Sequence, residues 1–107
     1  MNIGIDLDDT VYKYPEFFKE LVEGLTSRGH KFFCTSAHSK STWHSSDVPR
    51  LLALGIDVNK IDPSLLNEPA IQGGASKGRQ ADRCDFVFDD HAAQIQPHTK
   101  TPIFRVP

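Results

Sequence analysis

Short apolar runs that break off into carboxylates or hydroxyls alternate along this chain with helix-like segments. Asn2 to Leu7 sets Ile3, Ile5 and Leu7 at period two, the strand signature, and runs into Asp6-Leu7-Asp8-Asp9-Thr10. Lys31 to Ser36 reads as a second strand, ending in Thr35 and Ser36. Ile56 to Ile61 reads as a weaker third strand, Asp85 to Phe88 as a fourth running into Asp89 and Asp90, and Thr101 to Val106 as the last. Pro15 suits the first turn of a helix, because its ring holds φ near the helical value. The apolar stripe of that helix is Phe17, Phe18, Leu21, Val22 and Leu25. Ser46 or Asp47 would cap a second helix reaching Leu54, with Pro49 in its first turn and Gly55 past its end. Asp62 to Ala75, broken by Pro63, Pro69, Gly73 and Gly74, predicts one or two helical turns and a loop. Ser76 to Arg83 predicts a short helix weakened by Gly78.

Such alternation predicts an α/β fold: a single Rossmann-like, doubly wound domain over 1–107. Its sheet would be mainly parallel, of about five strands, with helices on both faces. The length, 107 residues, leaves little room for a second domain. A net charge of −2 argues against a general binder of nucleic acid or anionic membrane, and no apolar run is long enough to span a bilayer. The opening MNIGIDLDDT lacks a basic segment followed by an apolar stretch, so a cytoplasmic protein is expected. Cys34 and Cys84 then read as two reduced, buried thiols.

Ligands of such a fold bind beyond the carboxyl ends of the strands. The residues there are Asp6, Asp8 and Thr10 after the first strand, Thr35 and Ser36 after the second, and Asp89 and Asp90 after the fourth. Lys77 lies near the start of the helix that precedes the fourth strand. In this order the set resembles the four motifs of the haloacid dehalogenase-like phosphatases. Asp6, Asp8 and Thr10 match the first motif, Thr35 or Ser36 the second, Lys77 the third, and Asp89-Asp90 the fourth. The Cys-Thr-Ser triplet and the strand ending in Asp-Asp are also similar, over a few residues, to the deoxyribonucleotidase branch.

The resemblance implies a Mg²⁺-dependent phosphomonoesterase that works through an aspartyl phosphate. Asp6 would be the nucleophile and Asp8 the general acid and base. Asp6, Asp8, Asp89 and Asp90 would hold Mg²⁺, with Asp8 using its backbone carbonyl, because carboxylates crowded beside a phosphate dianion call for a hard divalent cation. Thr35 or Ser36, with Lys77, would stabilise the transferring phosphoryl oxygens, and Arg79 or Arg83 could replace Lys77. Thr10 to Tyr14 leaves room for a small flap only, and Ser36 to Lys77 for no inserted cap. A capless core implies a large or exposed phosphate as substrate, or a homo-oligomer that covers the site. The substrate stays open among a nucleotide, another small phosphomonoester and a macromolecular phosphate.

Two other classes fit parts of the pattern. One is a regulatory module of the same type that binds Mg²⁺ and phosphate without turnover, against which the retention of both Asp6 and Asp8 argues. The other is a receiver-like phosphoacceptor, for which Asp62 is a poor acceptor and Arg105 stands where a Lys is needed. In the loop after the second strand, His38 and His44 lack a third ligand at zinc spacing and read as pocket residues. Lys40 and Trp43 are candidates there for phosphate and base contacts.

Overall fold

In the computed structural model, which describes residues 1–67 and 74–107, five parallel strands form one sheet in the order β3-β2-β1-β4-β5. The strands are β1 (Asn2–Ile5), β2 (Lys31–Cys34), β3 (Ile61–Asp62), β4 (Phe86–Asp89) and β5 (Ile103–Arg105). β1 is central: Ile3 pairs with Phe32 on one side and Phe86 on the other, and Ile5 with Cys34 and Phe88. The chain adds strands outward on one side of β1 and then returns to add β4 and β5 on the other. The ends of β1 and β4 therefore flank the point where the winding reverses, and ligands of such sheets bind in that crevice.

Helices cover both faces. α1 (Pro15–Thr26) buries Phe18 and Val22 against Ile3, Ile5 and Phe32, in a core that also takes Leu51 from α3 (Val48–Ala53). On the opposite face Val87 and Ile103 pack with Ala81 of α4 (Gly74–Ala81) and with Ala92 and Ile95 of α5 (Ala92–Ile95). Cys34 belongs to the first core and Cys84 to the second, both buried and free. Burial pushes the Cys84 thiol up to about 11 and Cys34 well above its ordinary range, so both behave as small apolar groups.

Two glycines mark close approaches between layers. A Cβ on Gly4 would lie 2.8 Å from Thr35 Cγ2 and 2.8 Å from Val87 Cγ2, on the face opposite Ile3 and Ile5. A Cβ on Gly78 would lie 2.6 Å from His98 Cβ and 2.8 Å from the His98 carbonyl oxygen. Gly78 thus lets α4 touch the turn that follows α5, which offsets its poor helix propensity.

Several expected elements come out differently. The third strand shrinks to Ile61–Asp62, because Asp57 accepts a hydrogen bond from the Asn59 N–H at 3.0 Å and coils Val58–Lys60 into a tight turn. The second helix begins earlier, at α2 (Lys40–Thr42), where the Ser39 hydroxyl accepts from the Thr42 N–H at 3.1 Å. It continues through a widened stretch, Trp43–Asp47, where Val48 N–H bonds to the Trp43 carbonyl, and then into α3. Pro49 has no N–H to give and its ring crowds the preceding turn, which accounts for the widening. Neither expected cap acts there: the Asp47 side chain is turned inward and buried. Phe17 lies outside the buried stripe of α1, more than half exposed. The loop expected over Asp62–Ala75 falls partly outside the described residues. Among them, α2, α3, the turn and β3 use up the chain after Ser36 and leave no separate cap over the strand ends. No described helix is long and apolar enough to cross a membrane.

Candidate functional site

β1 delivers Asp6 to the head of the sheet. The Asp6 N–H bonds to the Phe88 carbonyl at 3.0 Å and the Thr35 N–H to the Ile5 carbonyl at 2.9 Å, so three strand ends are tied together there. Past Asp6 the backbone makes a wide turn, closed by Val11 N–H to Asp6 carbonyl and Tyr12 N–H to Leu7 carbonyl. Inside it Asp8 is extended and Asp9 adopts φ 58°, the left-handed region that Asp tolerates better than most residues. The turn places Asp8 and Asp9 at the rim of a cleft of about 260 Å³, whose floor and walls include Asp6, Ser36, His38 and Lys77.

Asp6, Asp89 and Asp90 each offer a carboxylate oxygen, and these oxygens all lie within 4.8 Å of one another. Asp6 and Asp89 are buried and Asp90 is half-buried. Lys77 Nζ donates to Asp6 Oδ1 at 3.1 Å and to Asp89 Oδ2 at 2.9 Å. The fully buried Thr10 hydroxyl lies 3.3 Å from Asp6 Oδ2 and 3.4 Å from Asp90 Oδ1, and its one proton serves both. The His91 N–H donates to Asp89 Oδ1 at 2.8 Å and fixes that carboxylate. Thr10 therefore ties carboxylates together in addition to shaping the turn.

One ammonium against three carboxylates leaves the site short of positive charge. Burial first, and then the neighbouring Asp89, push the Asp6 carboxyl up to about 7, more than Lys77 pulls it down. Burial raises Asp89 as well. Burial alone would lower Lys77, but Asp6 and Asp89 outweigh it and hold the ammonium above its ordinary value. Asp6, Asp89 and Asp90 form an all-oxygen, anionic donor set, which would suit a hard divalent cation such as Mg²⁺.

The remaining candidates separate cleanly. Ser36 lines the cleft, and its hydroxyl accepts from the His38 N–H at 3.0 Å. Thr35 instead packs on Gly4, and its buried hydroxyl has no partner among the described residues. Lys77 faces the carboxylates, while Arg79 and Arg83 are exposed. The Asp8 side chain stands apart from the three-carboxylate group: its Oδ2 is 2.7 Å from His38 Nε2. Trp43 is 3 % exposed in the core, which removes it as a base contact, and Lys40 is exposed. His38 and His44 form no metal cluster among the described residues.

A second polar chain was not anticipated from the sequence. His38 Nδ1 lies 2.8 Å from Asp47 Oδ2, and Tyr12 donates its hydroxyl to Asp47 Oδ1 at 2.5 Å. The Arg50 guanidinium sits 3.7 Å above the Tyr12 ring. Burial alone would lower His38, but Asp47 and Asp8 outweigh it and raise it.

No family profile, curated protein or solved structure matches this chain.

Proposed function

We propose that this protein is a Mg²⁺-dependent phosphohydrolase of the haloacid dehalogenase-like type, with Asp6 as nucleophile. The observation that carries the reading is the convergence of Asp6, Asp89 and Asp90 within 4.8 Å, beside the Lys77 ammonium, where the sheet reverses its winding. Three converging carboxylates, two of them buried, with one counter-charge are costly unless a further cation and an anionic ligand complete the group. Asp6, Asp89 and Asp90 would hold Mg²⁺, which when bound neutralises these carboxylates and the phosphoryl oxygens beside them. In the first step an Asp6 oxygen bonds to phosphorus, the bond to the leaving oxygen breaks, and Asp8 gives that oxygen its proton. In the second, water attacks the aspartyl phosphate, Asp8 takes the water proton, and Asp6 is released with inorganic phosphate. Lys77 and the Ser36 hydroxyl supply donors for the phosphoryl oxygens.

The receiver-like alternative finds no support in the placement of its acceptor. Asp62 ends the edge strand β3, two strands from β1, and its side chain accepts from the Ser64 N–H at 2.8 Å. The test is hydrolysis of an aryl phosphate with Mg²⁺ and with chelator. Activity only with Mg²⁺ is expected, and full activity in chelator would remove the cation from the reaction.

A further inference from the structure

General acid–base work needs a carboxyl held within hydrogen-bond reach of the reacting oxygen. Asp8 is poorly placed for that by its backbone alone. Its side chain is 62 % exposed on a turn, next to a residue in the left-handed region. A carboxylate in that position would sample several rotamers, and small misplacement of a reacting group is expensive in rate. Among the described residues the side chain that meets it is His38, at 2.7 Å.

His38 is itself held at two points, and the second is held in turn. Its N–H is anchored on Ser36, its Nδ1 on Asp47, and Asp47 on Tyr12. Asp47 is nearly fully buried, placed there by the widened Trp43–Asp47 stretch, and Tyr12 comes from the turn after β1. A carboxylate can accept from both Tyr12 and His38, which puts a proton on Nδ1 and leaves Nε2 turned to Asp8. Nε2 and Asp8 then share one proton, which sits on the carboxyl and is accepted by the ring lone pair, or sits on Nε2 and is donated to the carboxylate. This is the proton that Asp8 passes to the leaving oxygen and that water returns.

We infer that His38, locked by Asp47 and Tyr12, is a positioning residue that aims the Asp8 carboxyl at the leaving group and the attacking water. The inference rests on the phosphohydrolase reading and deepens it. No proton is lost or gained by the relay over a cycle: Asp8 gives one to the leaving oxygen and regains one from water, with the His38–Asp47 contact kept throughout.

The experiment compares His38→Ala and Asp47→Asn with the unaltered protein on a series of phosphate monoesters. The series runs from alkyl esters, whose leaving oxygen needs a proton, to dinitrophenyl phosphate, whose leaving group needs none. A loss of about 10- to 100-fold on alkyl esters, the usual effect of removing a partner that orients an active group, is expected. On dinitrophenyl phosphate phosphorylation of Asp6 should keep its normal rate, read as the burst of released dinitrophenol. His38→Gln, which keeps a donor and an acceptor, should recover part of the alkyl rate. A downfield, slowly exchanging imidazole N–H in the proton NMR spectrum should be present and should vanish in Asp47→Asn. Equal losses across the series, or none at all, from an active parent protein would overturn the positioning role alone. A parent protein inactive on every ester with Mg²⁺ would overturn the phosphohydrolase reading, and this inference with it.

Discussion

Lys77 Nζ meets Asp6 Oδ1 at 3.1 Å although the two residues are 71 positions apart. The contact joins the end of β1 to the first half of α4, on the face of the sheet where Val87 packs against Ile95 of α5. Its side chains are 13 % and 4 % exposed, so the pair sits in a medium where charge is weakly screened. The same ammonium reaches Asp89, and one cation thereby holds the two central strand ends at the crevice.

Removing that cation should be costly in both stability and rate. Lys77→Ala leaves Asp6 and Asp89 facing one another, and breaking a buried pair from one side typically costs about 3–5 kcal/mol. Protonation of Asp6 should soften the loss at low pH. Turnover of an aryl phosphate should fall about 10²- to 10³-fold, as when a preorganised donor to developing charge is deleted. Urea titrations at two pH values and steady-state rates check both.

Asp6→Asn should abolish turnover and covalent phosphorylation, because an amide cannot form the acyl phosphate. Asp8→Asn should keep Mg²⁺ binding and lose about 10²- to 10⁴-fold in turnover on esters with poor leaving groups. Rapid acid quench followed by peptide mass spectrometry reads the phosphorylated position directly. Label on Asp8 or Asp89 would reassign the nucleophile.

Stability of the metal-free protein should fall as pH rises through the acid-to-neutral range. Asp6 titrates near 3.8 when unfolded and near 7 when folded, so between those values the native state binds the extra proton. Stability from this group is complete below about pH 3.8 and is lost as pH climbs through about 7. Mg²⁺ should reverse the loss at neutral pH, by about 2.7 kcal/mol at a hundred times its dissociation constant. Melting curves across pH with and without Mg²⁺ test the sign. A metal-free protein that gains stability from pH 4 to pH 7 would contradict it.

Gly78→Ala should destabilise despite the better helix propensity of Ala, which is worth about 1 kcal/mol. The new Cβ would meet the His98 backbone at 2.8 Å and its Cβ at 2.6 Å, a contact relieved by moving α4 and the turn after α5 apart. Overpacking of this kind costs about 1–3 kcal/mol. Since α4 carries Lys77, turnover should fall together with the melting temperature.

Asp9 offers a milder test of the turn. At φ 58° an ordinary side chain costs roughly 1–2 kcal/mol. Asp9→Gly should therefore raise the melting temperature and Asp9→Val lower it, with Asp9→Asn close to the parent.

The architecture was legible because strand and helix leave different periods in a sequence. Ile3 and Ile5 at period two, and Phe18 and Val22 one turn apart, each report a face that must be buried. Asp6 and Asp89 were legible as neighbours because a doubly wound parallel sheet puts all its strand ends on one side. What the sequence left open were choices that turn on the rotation of a single element. Ser36 rather than Thr35 faces the cleft because strand alternation sends Thr35 onto Gly4. Lys77 rather than Arg79 meets the carboxylates because only one side of α4 points at them, and Arg83 lies past the end of that helix. The link from Tyr12 through Asp47 and His38 to Asp8 had no local signal at all. It joins a turn, a loop and a helix that Pro49 widens, and only the packing of those three segments turns Asp47 inward to meet the imidazole.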